Sequence, residues 1–305
     1  MRKNILKTFF AVALISALFM VKSGEVKAYP KVQVSNQYHG SNTAIATREA
    51  YGYIPADAFD YDWYLQRHPE VAAAYGTDRN AIYKFYRTTG LQKGWQGRIA
   101  PDKLITAADF DYMRYAADYP DLAAAFGQDG AALYNHYVNI GINEGRNGYT
   151  TDTMANAYLK IYSLSAQLMP EGMSDMEKVQ AVHDWLCLNV AYDYDNYLKG
   201  TVPSDSRLLA GPMNYGTAVC QGYVSTFQEF MNMAGIECTE IVGSTHGGDG
   251  DHAWNRVKVD GVYYYVDVTW DDPVPDRAGY VGRQYFMTQD ITFGGTHVPQ
   301  YEYFH

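Results

Sequence analysis

The sequence predicts an α+β fold, with a small all-α repeat region ahead of a mixed core, and three patterns carry that prediction. One stretch occurs twice in a single register between residues 56 and 149. Two later segments pair helix-start signals with apolar residues at helical spacing. One segment near residue 260 alternates apolar and polar residues on both sides of Asp260-Gly261. With 305 residues the chain has room for more than one domain, and 47% hydrophobic against 19% charged residues supports a packed core over disorder.

The N-terminus reads as a targeting segment. Arg2, Lys3 and Lys7 precede an apolar run from Thr8 to Val21, and Val26-Lys27-Ala28 offers a small-residue cleavage site. Residues 1–28 are expected to be a signal peptide cut after Ala28, leaving a chain that is secreted or held at the cell surface. The apolar run is short for a transmembrane helix, so no integral span is expected in the mature chain. Five Lys/Arg and one Glu leave with the segment, so the net charge of −10 becomes −14. An acidic chain without a basic run is a poor fit to nucleic acid.

Residues 29–55 are polar and without period, and read as a linker. The duplication follows. Phe59-Asp60-Tyr61 returns as Phe110-Asp111-Tyr112, 51 positions on. In the same register Tyr64, Pro69, Gly76, Tyr83, Tyr86 and Gly90 match Tyr115, Pro120, Gly127, Tyr134, Tyr137 and Gly141. Each copy should form short helices, capped by Asp60 or Asp111, opened by Pro69 or Pro120 and ended by Gly76 or Gly127. Tyrosines three apart share a helical face. Tyr83, Tyr86, Tyr134 and Tyr137 either pack the core of each copy or present rings to a surface glycan or peptide.

From residue 150 the pattern changes, and 150–305 reads as a catalytic domain able to fold by itself. Ser174-Asp175-Met176-Glu177 is a capping-box sequence, and Val179, Val182, Leu186 and Val190 continue a helix to about Asn189. A second helix starts at Cys220, shows Val224, Phe227, Met231 and Ala234 on one face, and ends at Gly235. Of the three cysteines, Cys187 lies beside the first stripe and reads as a buried passenger. Cys220 lies in a first helical turn, whose N–H groups and dipole favour a thiolate. Asp260-Gly261 signals a two-residue hairpin turn pairing Val259 with Val262. Continued outward, that register pairs Trp254 with Asp267 and His252 with Thr269. His252 and Asp267 then share a face as diagonal neighbours, which suits a base and the carboxylate that orients it.

Three blocks carry a resemblance: Gly216 to Tyr223, Asp251-His252-Ala253-Trp254-Asn255, and Val266-Asp267-Val268-Thr269-Trp270-Asp271-Asp272-Pro273. They resemble the catalytic blocks of the transglutaminase-like superfamily, in order, and the likeness runs over roughly 170–292. Tyr285-Phe286 with Asp290 is similar to that family's closing strand. The resemblance implies a papain-like core, with the cysteine on a helix packed on an antiparallel sheet. It implies Cys220 as nucleophile, His252 as base and Asp267 as orienting acid, with a thioester formed on Cys220 and passed to an amine or to water. The Cys220 backbone N–H is then the oxyanion donor; Tyr192, Tyr194 and Asn214 are candidates for a side-chain donor, and Trp254 and Trp270 for the walls of a substrate cleft. No cofactor is expected, and the expected partner is a protein or peptide, in reach of the cell wall. Two metal readings compete: His246, Asp249 and Asp251 as ligands in the Gly-rich loop, or a zinc held by Cys220, His252 and Asp267. A binding protein that uses the aromatic repeats is the alternative to an enzyme.

Overall fold

A computed structural model describes residues 42–245 and 252–303. The signal-peptide segment and the loop residues His246, Asp249 and Asp251 lie outside the described residues.

Helix formation in the first half follows its caps. Asn42 accepts from the Ala44 and Ile45 N–H groups and starts α1 (Thr43–Tyr51), which Gly52 ends in the left-handed conformation. The segment read as a linker thus contains a capped helix, because both end signals are present in a stretch that lacks a strong apolar stripe. In the first copy, Asp60 caps α2 (Tyr61–Arg67), Pro69 opens α3 (Pro69–Tyr75) and Asp78 caps α4 (Arg79–Phe85). After the short α5 (Pro101–Leu104), the second copy forms α6 (Tyr112–Asp118), α7 (Pro120–Phe126) and α8 (Gly130–His136) with Asp111, Pro120 and Asp129 in the same roles. Each copy then widens into a π turn, Tyr86–Gly90 and Tyr137–Gly141. A Cβ on Gly90 would collide with the Tyr64 hydroxyl, and one on Gly141 with that of Tyr115, so both turns close only over glycine.

The four tyrosines are core. Tyr86 and Tyr137 are buried, and Tyr83 and Tyr134 donate to the Ile54 and Ile105 carbonyls at 2.9 and 3.0 Å. Burial removes Tyr86 and Tyr137 from any ligand-binding face. Their rings pack on Phe59 and Phe110, at 4.5 and 5.3 Å between centroids.

The second half opens with α9 (Thr153–Leu168) and α10 (Asp175–Asn189), the latter with both arms of its capping box in place. A parallel bridge joins β1 (Ala191–Tyr192) to β2 (Thr217–Ala218), with α11 (Tyr194–Lys199) between them. Helix α12 (Cys220–Ala234) buries Tyr223, Val224, Phe227, Phe230 and Met231, and Gly235 ends it. The sheet is antiparallel in the order β5-β4-β3-β6, from β3 (Cys238–Thr245), β4 (His252–Val259), β5 (Val262–Val266) and β6 (His297–Tyr303). Asn255 on β4 donates to the Val224 carbonyl at 3.2 Å and fastens the sheet to α12. This is an α+β core with its cysteine helix packed on an antiparallel sheet.

The hairpin register is as the turn demands, Val259 opposite Val262 through to Asn255 opposite Val266. It stops there. Asp267 leaves the ladder to cap the short α13 (Val268–Asp271), so the outer pairs Trp254–Asp267 and His252–Thr269 do not form. The expected closing strand at Tyr285 is a single bridge, Tyr265 to Thr288, and the fourth strand is β6, on the far side of β3.

Polar contacts cross residue 150 in both directions. Arg48 on α1 meets Glu229 on α12 through two bonds, 2.6 and 3.1 Å, with little exposure on either side. Asn232 on α12 donates to the Gly97 carbonyl at 3.1 Å, and the Ile99 N–H donates to the Tyr162 hydroxyl at 3.1 Å. Helical and mixed regions share one buried core, against the expectation that 150–305 stands alone.

Candidate active site

Cys220 begins α12. Its predecessor Val219 is extended (φ −98°, ψ 177°) and offers no side-chain cap to the first-turn N–H groups beside the thiol. None of the three cysteines is in a disulfide. Cys220 is half-buried, while burial and the charges of Asp272 and Asp271 push the Cys187 thiol far up.

His252 begins β4, opposite Gly243 on β3. Its Nε2 donates to Asp267 Oδ2 at 2.6 Å. The Cys220 side chain acts on the same ring and favours its protonated form. Asp267 is almost fully buried, and its carboxylate is fully engaged. Oδ2 also accepts from His297 Nε2 at 2.9 Å, Oδ1 accepts the Trp270 N–H at 3.1 Å, and the Asp267 N–H donates to the Tyr285 carbonyl at 2.9 Å. Burial works against the His252 imidazolium, but Asp267 and the Cys220 side chain outweigh it and lift this group to about 10. Burial likewise pushes Asp267 up, and the His252 and His297 bonds override it, holding the carboxyl down to about 2. The two groups titrate as a coupled pair, charged on both sides near neutrality.

The donor atoms of His252, Asp267 and His297 lie within 4.8 Å of one another, a set that could hold a metal. Ligands around one tetrahedral zinc stand about 3.3 Å apart at ordinary bond lengths. The 2.6 and 2.9 Å separations are those of charge-assisted hydrogen bonds. As arranged, the two histidines direct N–H groups at one carboxylate oxygen.

Other expected residues fall differently. Trp254 is only 1% exposed; residues 285–297 cover it, Phe293 and His297 touching its ring, so it is a floor beneath His252 and no cleft wall. Trp270 is half-buried against His252, His297 and Tyr285. Asn214 is turned away: its amide bonds Asn156 at 2.9 Å and the Thr153 carbonyl at 2.8 Å, which ties it to α9 and contradicts its place as an oxyanion donor. Tyr194 stands exposed on α11, and Tyr192 keeps its backbone opposite Ala218, two residues before Cys220. The residue that sequence reasoning missed is His297, 30 positions beyond the aspartate it touches.

The third block also builds a second polar cluster. Asp271 accepts from the Tyr285 N–H at 3.0 Å and from His183 Nε2 at 3.2 Å. Asp184 meets His183 Nδ1 at 3.0 Å and Arg283 at 2.6 Å. Asp272 bonds the Tyr223 hydroxyl, which in turn reaches the Val190 carbonyl at 3.1 Å. These contacts staple α10 and α12 to the segment that follows Asp267.

Residues 162–268 match the family model of the transglutaminase-like superfamily. The kyphoscoliosis peptidase of Homo sapiens is 25% identical over 196 residues, which is 58% of this chain and 28% of that one. That of Mus musculus is 27% identical over 154 residues, 45% of this chain and 22% of that one. The chain therefore spans about a quarter of the length of these curated relatives. A solved structure described as a TGase aligns with a TM-score of 0.34 and 20% identity, covering 51% of this chain and 38% of its own. A helix-start cysteine, a strand histidine and a capping aspartate thus all fall within one matched segment, and the chain contains, over residues 162–268, a domain of the transglutaminase-like superfamily.

Proposed function

We propose that the chain is a cysteine acyl-transfer enzyme acting on amide bonds of a protein or peptide, with Cys220, His252 and Asp267 as its triad. The observation that carries this reading is a single imidazole, bonded to a buried carboxylate at 2.6 Å and held in its charged form with the help of a helix-start thiol. The Cys220 sulfur attacks the amide carbonyl, and the C–N bond breaks as the His252 imidazolium gives its proton to the leaving amine. The thioester then passes to an amine, which gives cross-linking, or to water, which gives hydrolysis or deamidation, with His252 taking the proton of the incoming group. The Cys220 backbone N–H serves the developing oxyanion, and of the tyrosine candidates Tyr192 is the one whose strand pairs with Ala218, two residues before Cys220. Asp267, holding three N–H bonds, keeps the ring oriented and stays ionised.

The relatives' description as peptidases agrees with amide chemistry. The leader-like residues 1–28 support work outside the cell, on secreted or wall-associated protein. The buried repeat tyrosines favour a packing role over the binding-protein alternative. The test is to incubate the full chain with secreted and cell-wall protein fractions, then identify what Cys220 holds as a thioester and whether amines or water release it. A chain that forms no adduct at Cys220, and is not alkylated there at neutral pH, would overturn the reading.

A further inference from the structure

We infer that His297 is a positioning residue of the same site: it donates a second imidazole N–H to Asp267 and thereby holds that carboxylate in line with His252. The inference rests on the triad reading and adds to it a residue outside the matched family segment.

The geometry is built for this contact. His297 begins β6, opposite Thr245 on β3. Facing an acceptor oxygen at 2.9 Å, its Nε2 must carry a proton, and its Nδ1 lies 2.8 Å from the Thr296 hydroxyl, so both ends of the ring are held. The ring is fully buried in a cage of Trp270 and Phe293, each 4.6 Å between centroids, Trp254 at 4.9 Å and Tyr285 at 5.7 Å. A hydrocarbon ring would fill such a cage without the desolvation penalty of an imidazole. What it could not supply is the donor. Asp267 Oδ2 is shared between the two histidines, whose rings lie 5.4 Å apart, so the carboxylate sits in a notch with one imidazole on each side. Removing one side leaves Asp267 free to swing about its cap bond to Trp270 and loosens the grip that keeps His252 protonated and aimed at the thiol.

The approach of β6 also depends on Gly243. A Cβ there would collide with the Val298 carbonyl and lie 2.7 Å from the Trp254 ring. The strand that delivers His297 is seated against a position where only glycine fits.

The test compares two substitutions in the full chain, read by the rate of iodoacetamide labelling of Cys220 across pH. His297→Phe keeps the packing and removes the donor; His297→Gln keeps an N–H near the Nε2 position and gives up the packing. Both are checked for folding by circular dichroism, and His297→Met replaces the Phe variant if that one does not fold. We expect the donor-less variant to label on the order of tenfold more slowly at pH 6, with its profile displaced to higher pH, and the Gln variant to stay within about threefold of wild type. A Phe variant that labels like wild type, or a Gln variant as slow as Phe, overturns the inference and leaves the ring a packing element. A wild-type chain that does not label at Cys220 overturns the triad reading, and this inference with it; normal wild-type labelling with indifferent variants defeats only the role of His297.

Discussion

Two groupings of cysteine, histidine and aspartate stand in this molecule, and their difference is instructive. In one, His252 gives its Nε2 to Asp267 and its ring is also favoured in the charged form by the Cys220 side chain at a helix start. In the other, the Nε2 of His183 faces both Asp271 at 3.2 Å and the Cys187 sulfur at 4.0 Å, while its Nδ1 is taken by Asp184 and Arg283. One nitrogen cannot donate to a carboxylate and at the same time take a thiol proton. Cys187 also lies inside α10 and is buried, where the helix dipole gives no help and burial disfavours the thiolate. Composition is the same in the two places; burial of the sulfur and position along the helix separate the set proposed to be reactive from a structural one.

The comparison breaks most easily at the sulfurs. Cys220→Ala should abolish both labelling and turnover with the fold intact, and Cys187→Ala should leave both unchanged; retained turnover in the first variant would end the thiol mechanism. The carboxylates give the next effect. Asp267→Asn should cut turnover by roughly 10⁴-fold, as loss of a triad acid does elsewhere. Asp271→Asn should leave turnover per folded molecule alone and lower stability by about 1–3 kcal/mol, since it disturbs the bonds to His183 and the Tyr285 N–H. Denaturant titration beside an activity assay distinguishes the two.

Proton balance sharpens it further. His252 is raised to about 10, so its charge, and the stability drawn from pairing with Asp267, is complete below the ordinary histidine range and is lost as pH rises through about 10. Turnover that needs the imidazolium to protonate a leaving amine should fall on that limb, while alkylation of Cys220, which needs only the thiolate, should not. The effect furthest from the chemistry belongs to Asp272. Burial raises it to about 7 against the pull of the Tyr223 hydroxyl, and its Oδ1 has no hydrogen-bond partner among the described residues. Its contribution to stability is complete below the usual carboxylate range and is lost as pH rises through about 7. Asp272→Asn should therefore gain on wild type between pH 5 and pH 8, by on the order of 1–4 kcal/mol, seen as a melting temperature that no longer falls over that interval.

What the sequence made legible was local. Caps at Ser174 and Asp60, the glycine end of α12 and the two-residue turn at Asp260-Gly261 act over a few residues, and each can be read from spacing alone. The hairpin register brought His252 and Asp267 to one place even though Asp267 proved to be a helix cap. The burial of Trp254 was hidden, because strand alternation puts it on an outer face and only residues 285–297 cover it. His297 was hidden for the same reason: β6 carries Pro299, a residue that weakens a strand reading, and its pairing with β3 spans the whole hairpin between them. Asn42 and Gly52 did mark α1, but a short polar helix offers no stripe to draw attention to them.

The Arg48–Glu229 pair reaches across 181 positions of chain, from a helix with no part in the chemistry to the helix that carries the sulfur. Its loss would take the cation from a buried carboxylate that keeps only polar partners such as Asn232, a change of up to about 3–5 kcal/mol when one partner of a buried pair is removed. Set against an ordinary domain stability of about 5–15 kcal/mol, that is a large share. In a living cell, Arg48→Ala should therefore appear as an inactive allele, through degradation of protein that fails to stay folded. Immunoblotting would show the deficit in amount, and the surviving molecules would label at Cys220 at the normal rate.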